Sequence, residues 1–313
     1  VDVVRLLLAR KEIQINQAQK EGATPLYITC EKGHVDVVRL LLARKEIQIN
    51  QATKNGATPL IIATYLGRFS TVQILLSNNK IDASIMFEEK TAAQYSESNA
   101  RAPSWSFLDN GINQEGRVQC HQLFSSFFDA SASLSSLDEI ERETTQANDG
   151  GVVGETKNNG GGGGGTQLGP ALNDRLGATT KKEHPVVGVT TAKPQLNDKD
   201  FHDLLVACKK GKLTKVKKML KKKNANVNQV GGEDGYTALM AACQDGQMKV
   251  VKHLLKMKGI QVNKATLNGS TPLFFACQMR RVAVVKVLLA RKEIQINQAL
   301  QDGTTPLSIT CQE

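Results

Sequence analysis

The chain has 313 residues and a net charge of +10, with 40% apolar, 22% charged and only 4% aromatic residues. So few aromatics argue against an enzyme pocket or a base-stacking platform, and no apolar run approaches the roughly 20 residues of a membrane-spanning helix. The chain starts at Val1 rather than Met, so the lack of a targeting segment decides nothing.

The first element repeats. Val1 to Ala18 reads VDVVRLLLARKEIQINQA, Val35 to Ala52 reads the same, and Val282 to Ala299 reads VAVVKVLLARKEIQINQA. Between copies stand GATPLYITCEKGH from Gly22, GATPLIIATYLGR from Gly56, GYTALMAACQDGQ from Gly235 and GSTPLFFACQMRR from Gly269, with GTTPLSITCQE from Gly303. Thr24 to Thr58, Thr237 to Thr271 and Thr271 to Thr305 each span 34 residues. Within a unit, Thr24 suits an N-cap and Pro25 the first helical turn. Leu26, Thr29 and Cys30 recur at helical spacing, and Gly33 suits a left-handed helix end. Val37, Val38, Leu41 and Leu42 form the apolar face of a second helix, and Asn50 to Gly56 suits a hairpin. Each helix pair buries its two apolar sides only by stacking on neighbours.

Thr-Pro-Leu, small residues, Gly, Val-Val-x-Leu-Leu-Leu and then Ile-x-Ile-Asn resembles the ankyrin repeat. Its usual period is 33, and the extra residue is expected near Lys45 to Gln48. The resemblance implies an all-α solenoid, a helix–turn–helix plus hairpin loop per repeat. It covers 1–97, whose last unit at Thr91 (TAAQYSESNA) is decayed, and 200–313. Tyr27, Ile61, Met240, Phe274 and Ser308 stand where the family has histidine, so its side-chain hydrogen bonds are expected to be lost. Arg280 replaces the helix-ending glycine of its unit, at a cost on the order of 1 kcal/mol.

Two short arrays are therefore expected, with a linker over 98–199. Within the linker, 117–142 (Cys120, Phe124, Phe127, Leu134, Leu137, Ile140) is near helical spacing. It reads as a transient helix, or one covering the open end of the first array, or alternatively as one docking in a partner's groove. Residues 148–199 are Gly-rich, with six glycines from Gly160 to Gly165, a flexible-linker composition. The second array opens with a Lys-rich cap, Leu204, Leu205, Ala207, Cys208, Val216, Met219 and Leu220 facing in. Val1 enters a unit at its second helix and Glu313 stops inside a first helix. A piece of a longer product is expected, with an uncovered apolar face at each end.

No catalytic constellation emerges. The glycine tract lacks the Gly-Lys-Ser/Thr ending of a phosphate loop, and the five histidines are scattered. Asn268-Gly-Ser is a formal glycosylation site in a hairpin. Cys30, Cys243, Cys277 and Cys311 occupy equivalent places in successive units, with Cys208 in the same register. Stacked helices are about 8–10 Å apart, too far for a disulfide, so they read as core. No metal or cofactor is expected.

The expected function is a scaffold or adaptor that binds other proteins, inside the cell, in cytoplasm or nucleus. The resemblance places ligands on the concave face of the first helices, here Ile28, Glu31, Lys32, Ile62, Tyr65, Leu66, Gln244, Asp245, Phe275, Gln278 and Met279. It also places them on the hairpin tips, Lys20, Glu21, Lys54, Asn55, Leu267, Asn268, Gln301 and Asp302. Tyr65 with Leu66, and Phe275 with Met279, suit interface anchors. Charge gives a second reading: residues 200–313 carry +11, and nine lysines lie between Lys209 and Lys223. Lys217, Lys218, Lys221, Lys222 and Lys223 could meet an acidic partner or nucleic acid, although stacking aromatics and arginines are absent there. A third reading is a regulatory module of a larger enzyme or membrane protein.

Overall fold

The computed structural model describes residues 1–87, 89–100, 115–127, 194–222 and 225–312, all within one compact unit. In chain order the elements are α1 (Asp2–Leu8), α2 (Pro25–Lys32), α3 (Val35–Leu42), α4 (Pro59–Tyr65) and α5 (Phe69–Leu76). A short hairpin follows, β1 (Met86–Phe87) and β2 (Lys90–Thr91), then α6 (Ala92–Ala100) and α7 (115–127). The second segment holds α8 (Asp198–Lys209), α9 (Leu213–Lys222), α10 (Ala238–Gln244), α11 (Met248–Leu255), α12 (Pro272–Gln278), α13 (Val282–Leu289) and α14 (Pro306–Gln312).

Five first helices, α2, α4, α10, α12 and α14, start the same way. The Thr24 hydroxyl accepts from the Tyr27 N–H at 3.1 Å, with Pro25 in the first turn. Thr58, Thr237, Thr271 and Thr305 repeat that cap. The bonds expected to vanish with the family histidine are kept in two units. The Thr305 N–H donates to Ser308 Oγ at 2.8 Å, and the Thr237 N–H reaches Met240 Sδ at 3.4 Å. Ile61 and Phe274 have no acceptor to offer. Second helices end in the αR region at Ala43 and Ala290, and first helices pass through a left-handed residue, Gly33 at φ 73° and Arg280 at φ 51°.

One leucine in each of ten helices anchors the core. Leu26, Leu60, Leu239, Leu273 and Leu307 on first helices, and Leu7, Leu41, Leu75, Leu254 and Leu288 on second helices, are essentially inaccessible. Burying each is worth about 1.5–3 kcal/mol. All six cysteines are buried free thiols.

The stacking order is not the chain order. First helices run α8, α10, α12, α14, α2, α4, α6, each packed on the next. Thus α14, at the end of the second segment, packs on α1 as its own second helix and on α2 as its neighbour. The apolar end faces expected at Val1 and Glu313 are thereby corrected: Val3, Val4, Leu7, Ile309 and Cys311 are buried against one another's elements. The two segments, separate in sequence, form one continuous stack.

Backbone bonds between hairpin tips tie that stack together. Leu267 N–H donates to Asp234 O at 2.9 Å, Gln301 to Asn268 at 3.0 Å, Lys20 to Asp302 at 2.6 Å and Lys54 to Glu21 at 3.0 Å. The third of these crosses from one segment to the other. Tight approach explains two tip glycines: a Cβ on Gly22 would lie 2.7 Å from the Lys54 backbone, and one on Gly303 would lie 3.0 Å from Gln19 Cα.

Both stack ends are modified. Asn197 caps α8 by accepting from the Asp200 N–H at 2.8 Å, so the cap begins slightly before the expected Asp200. The side-chain amide of Gln229 holds both backbone groups of Leu196, at 2.6 and 2.7 Å. At the other end, the decayed unit supplies α6 with buried Ala92 and Tyr95, and α7 with buried Arg117, Cys120 and Phe124. The expected helix over 117–142 is described only as 115–127. Leu134, Leu137, Ile140 and the glycine tract lie outside the described residues.

Candidate interaction groove

Between the hairpin tips and the first helices of α8, α10, α12 and α14 runs a groove of about 670 Å³. Its floor is aromatic. Tyr236 and Phe275 meet edge-to-face, centroids 5.0 Å apart at 63°, and Phe274 lies beneath, 6.4 Å from Phe275. Tyr236 sits just before the Thr237 cap and Phe275 faces outward on α12, so the stacking of α10 on α12 brings the rings together. The Tyr236 hydroxyl donates to Gln244 Oε1 at 2.6 Å, which fixes the ring. Burial, and then the charge of Asp245, push its phenol well above the ordinary range, so it stays a neutral donor. The Lys209 ammonium lies 5.7 Å from the centre of the same ring. The rim carries Glu233, Asp234 and Asp302.

The sequence-based residues fall into three groups. Gln244, Phe275, Gln278, Asn268 and Asp302 line this groove. Tyr65, Ile62 and Asn55 line a smaller cavity of about 240 Å³ with Tyr27 and Tyr95. There Tyr65 meets Tyr95 edge-to-face at 6.1 Å, and Arg117 lies over Tyr65 at 5.6 Å. Asp245 and Leu66 are half-buried beside these cavities, Glu31 is half-buried, and Lys32 and Met279 are exposed without lining either. Lys20, Glu21, Lys54, Leu267 and Gln301 are exposed at the tips. Ile28 needs correcting as a contact residue: it is 4% exposed and belongs to the core. Tyr236 and Ile309 line the groove but were not read from the sequence; Leu205, expected to face in, is half-buried and lines it too, as does Phe274 from the family histidine's place. The tyrosine preceding Thr237 was the available signal, since the other units hold alanine, serine or threonine before their capping threonine.

The second-helix side is basic at one end. Lys215, Lys217, Lys218 and Lys221 are exposed on α9, and Lys249 and Lys252 on α11, which packs on it, with Lys256 exposed just past its end. Lys217 and Lys256 add to burial in holding His253 below its usual range. Lys223 lies outside the described residues. Among the described residues no group of His, Cys, Asp or Glu gathers as a metal site, and no helix is long and apolar enough to cross a membrane.

The family model for ankyrin repeats (3 copies) matches residues 1–86 and 204–300, more than half of the chain. The chain belongs to the ankyrin-repeat family, whose repeats are generally protein–protein interaction modules. Among curated proteins none matches it.

Proposed function

We propose that this chain is a protein-interaction scaffold, working inside the cell, that docks a segment of a partner in the groove on the α8–α14 side. The observation that carries the reading is the half-exposed Tyr236–Phe275 pair at the groove floor. Such aromatics lose little entropy on binding and dominate interfaces when a partner covers them. The test is cross-linking of the full chain to bound proteins, with and without Phe275→Ala. Loss of a discrete set of cross-linked partners supports the reading. An unchanged set shows that the groove is not the docking surface.

A second reading rests on the continuity of the exposed lysines across α9 and α11. It makes that face a contact for an anionic partner, nucleic acid included. Lys217→Glu, Lys218→Glu and Lys221→Glu together then abolish binding of duplex DNA or RNA, and wild-type binding weakens steeply with salt. Absence of wild-type binding removes this reading.

A further inference from the structure

The groove's chemistry narrows its occupant, an inference that rests on the groove being a docking surface. In a chain of net charge +10, the groove lining holds three carboxylates, Glu233, Asp234 and Asp302, against one ammonium, Lys209. The local charge is thus opposite to that of the chain. The Tyr236 face already accepts a cation, the Lys209 ammonium at 5.7 Å, as expected of an aromatic quadrupole. Lys209 is exposed and long, so it can swing aside or share the ring. Phe275 adds a second ring at 63° to the first, forming an open corner. That corner suits the flat, weakly hydrated guanidinium better than a compact ammonium.

We propose that the groove takes an extended, arginine-bearing peptide segment of a partner protein, with the guanidinium in the Tyr236–Phe275 corner and facing the Asp234 and Asp302 carboxylates. A nucleic-acid strand or an acidic segment would meet like charge at this rim. A wholly apolar segment would strip water from the carboxylates with no compensation.

The test uses the full chain and two fluorescein-labelled dodecapeptide libraries, read by polarisation. One has arginine fixed at the centre among Leu, Ala and Ser; the other has citrulline, its neutral isostere, in that place. The arginine library is expected to bind at least tenfold more tightly. Asp234→Asn with Asp302→Asn should erase that preference. Asn at 302 keeps the bond that Asp302 Oδ1 accepts from the Thr304 N–H at 2.8 Å, so the hairpin survives. Phe275→Ala should weaken both libraries. Equal binding of the two libraries, or a preference untouched by the double substitution, overturns the arginine proposal and leaves the docking surface standing. Binding of neither library also overturns it, while the cross-linking with Phe275→Ala decides the docking surface separately.

Discussion

The side-chain amide of Asn297 joins two residues at the far end of the sequence: its Nδ2 donates to the Glu12 carbonyl at 2.7 Å, and its Oδ1 accepts from the Gln14 N–H at 2.9 Å. The same double bond is made by Asn228 to Gly259 and Gln261, by Asn263 to Glu293 and Gln295, by Asn16 to Glu46 and Gln48, and by Asn50 to Lys80 and Asp82. Asn297 is the middle rung of one asparagine ladder. Asn297→Ala should therefore destabilise the chain about as much as Asn16→Ala. At about 1 kcal/mol net per bond, the loss is roughly 1–2 kcal/mol in a urea titration. A silent Asn297→Ala beside a costly Asn16→Ala would show that the rung is not formed.

Arg280 occupies the left-handed position that Gly33, Gly67, Gly211 and Gly246 hold in other units, at φ 51°. Its side chain is exposed, so little packing is lost on removing it. Arg280→Gly should raise stability by about 1 kcal/mol and Tm by roughly 2–4 °C. A lowered Tm would mean that the guanidinium makes a contact worth more than the strain.

Burial pushes the thiols of Cys120, Cys208 and Cys311 up to about 12, and those of Cys30, Cys243 and Cys277 higher still. Unfolded thiols titrate near the ordinary value of 9.0. Above that pH the unfolded chain holds fewer thiol protons than the folded one, so the thiols' contribution to stability falls as pH rises from about 9 toward 12 and is constant below. Urea midpoints at pH 7, 9 and 10.5 check the sign. A thiol reagent at pH 7 should find six reactive groups in urea and almost none in the folded chain.

Arg117 Nε donates to the Tyr65 carbonyl at 3.0 Å, as Arg68 does to Glu31 at 3.0 Å and Arg281 to Gln244 at 2.9 Å. This repeated clamp marks α7 as the second helix of the decayed unit. Arg117→Ala should loosen α7 by about 2 kcal/mol, the range of a bond to a charged donor, seen as faster amide exchange over 115–127. Binding in the Tyr236–Phe275 groove, at the other end of the stack, should not change. Unaltered exchange would detach α7 from the repeat.

The repeat was legible because each unit carries the same local instructions: Thr24, Pro25 and Leu26 start one helix, Gly33 ends it, and Val37 to Leu42 build the next. The core leucines followed from that period. The joining of the segments was not legible, because α14 and α1 meet across nearly the whole chain and no local signal reports which unit accepts a stack end. Arg117 was hidden for a related reason: its clamp register is displaced by the residues between α6 and α7. At the groove, Phe275 could be read from its place on a first helix. Tyr236 left one sign, a tyrosine where the other units hold alanine, serine or threonine, but its role depends on a ring from the next unit.

Hydrogen exchange of the full chain, followed by residue, tests the continuous stack most directly, because α14 contributes Ile309 and Gln312 to the groove. The stack predicts that Leu7, Leu8 and Ala9 of the α1 unit, and Ile309 and Thr310 of α14, are protected as strongly as equivalent amides of α3 and α12. Free exchange at both sets, with α2–α5 and α10–α13 still protected, would contradict it and leave two separate arrays with a shortened groove.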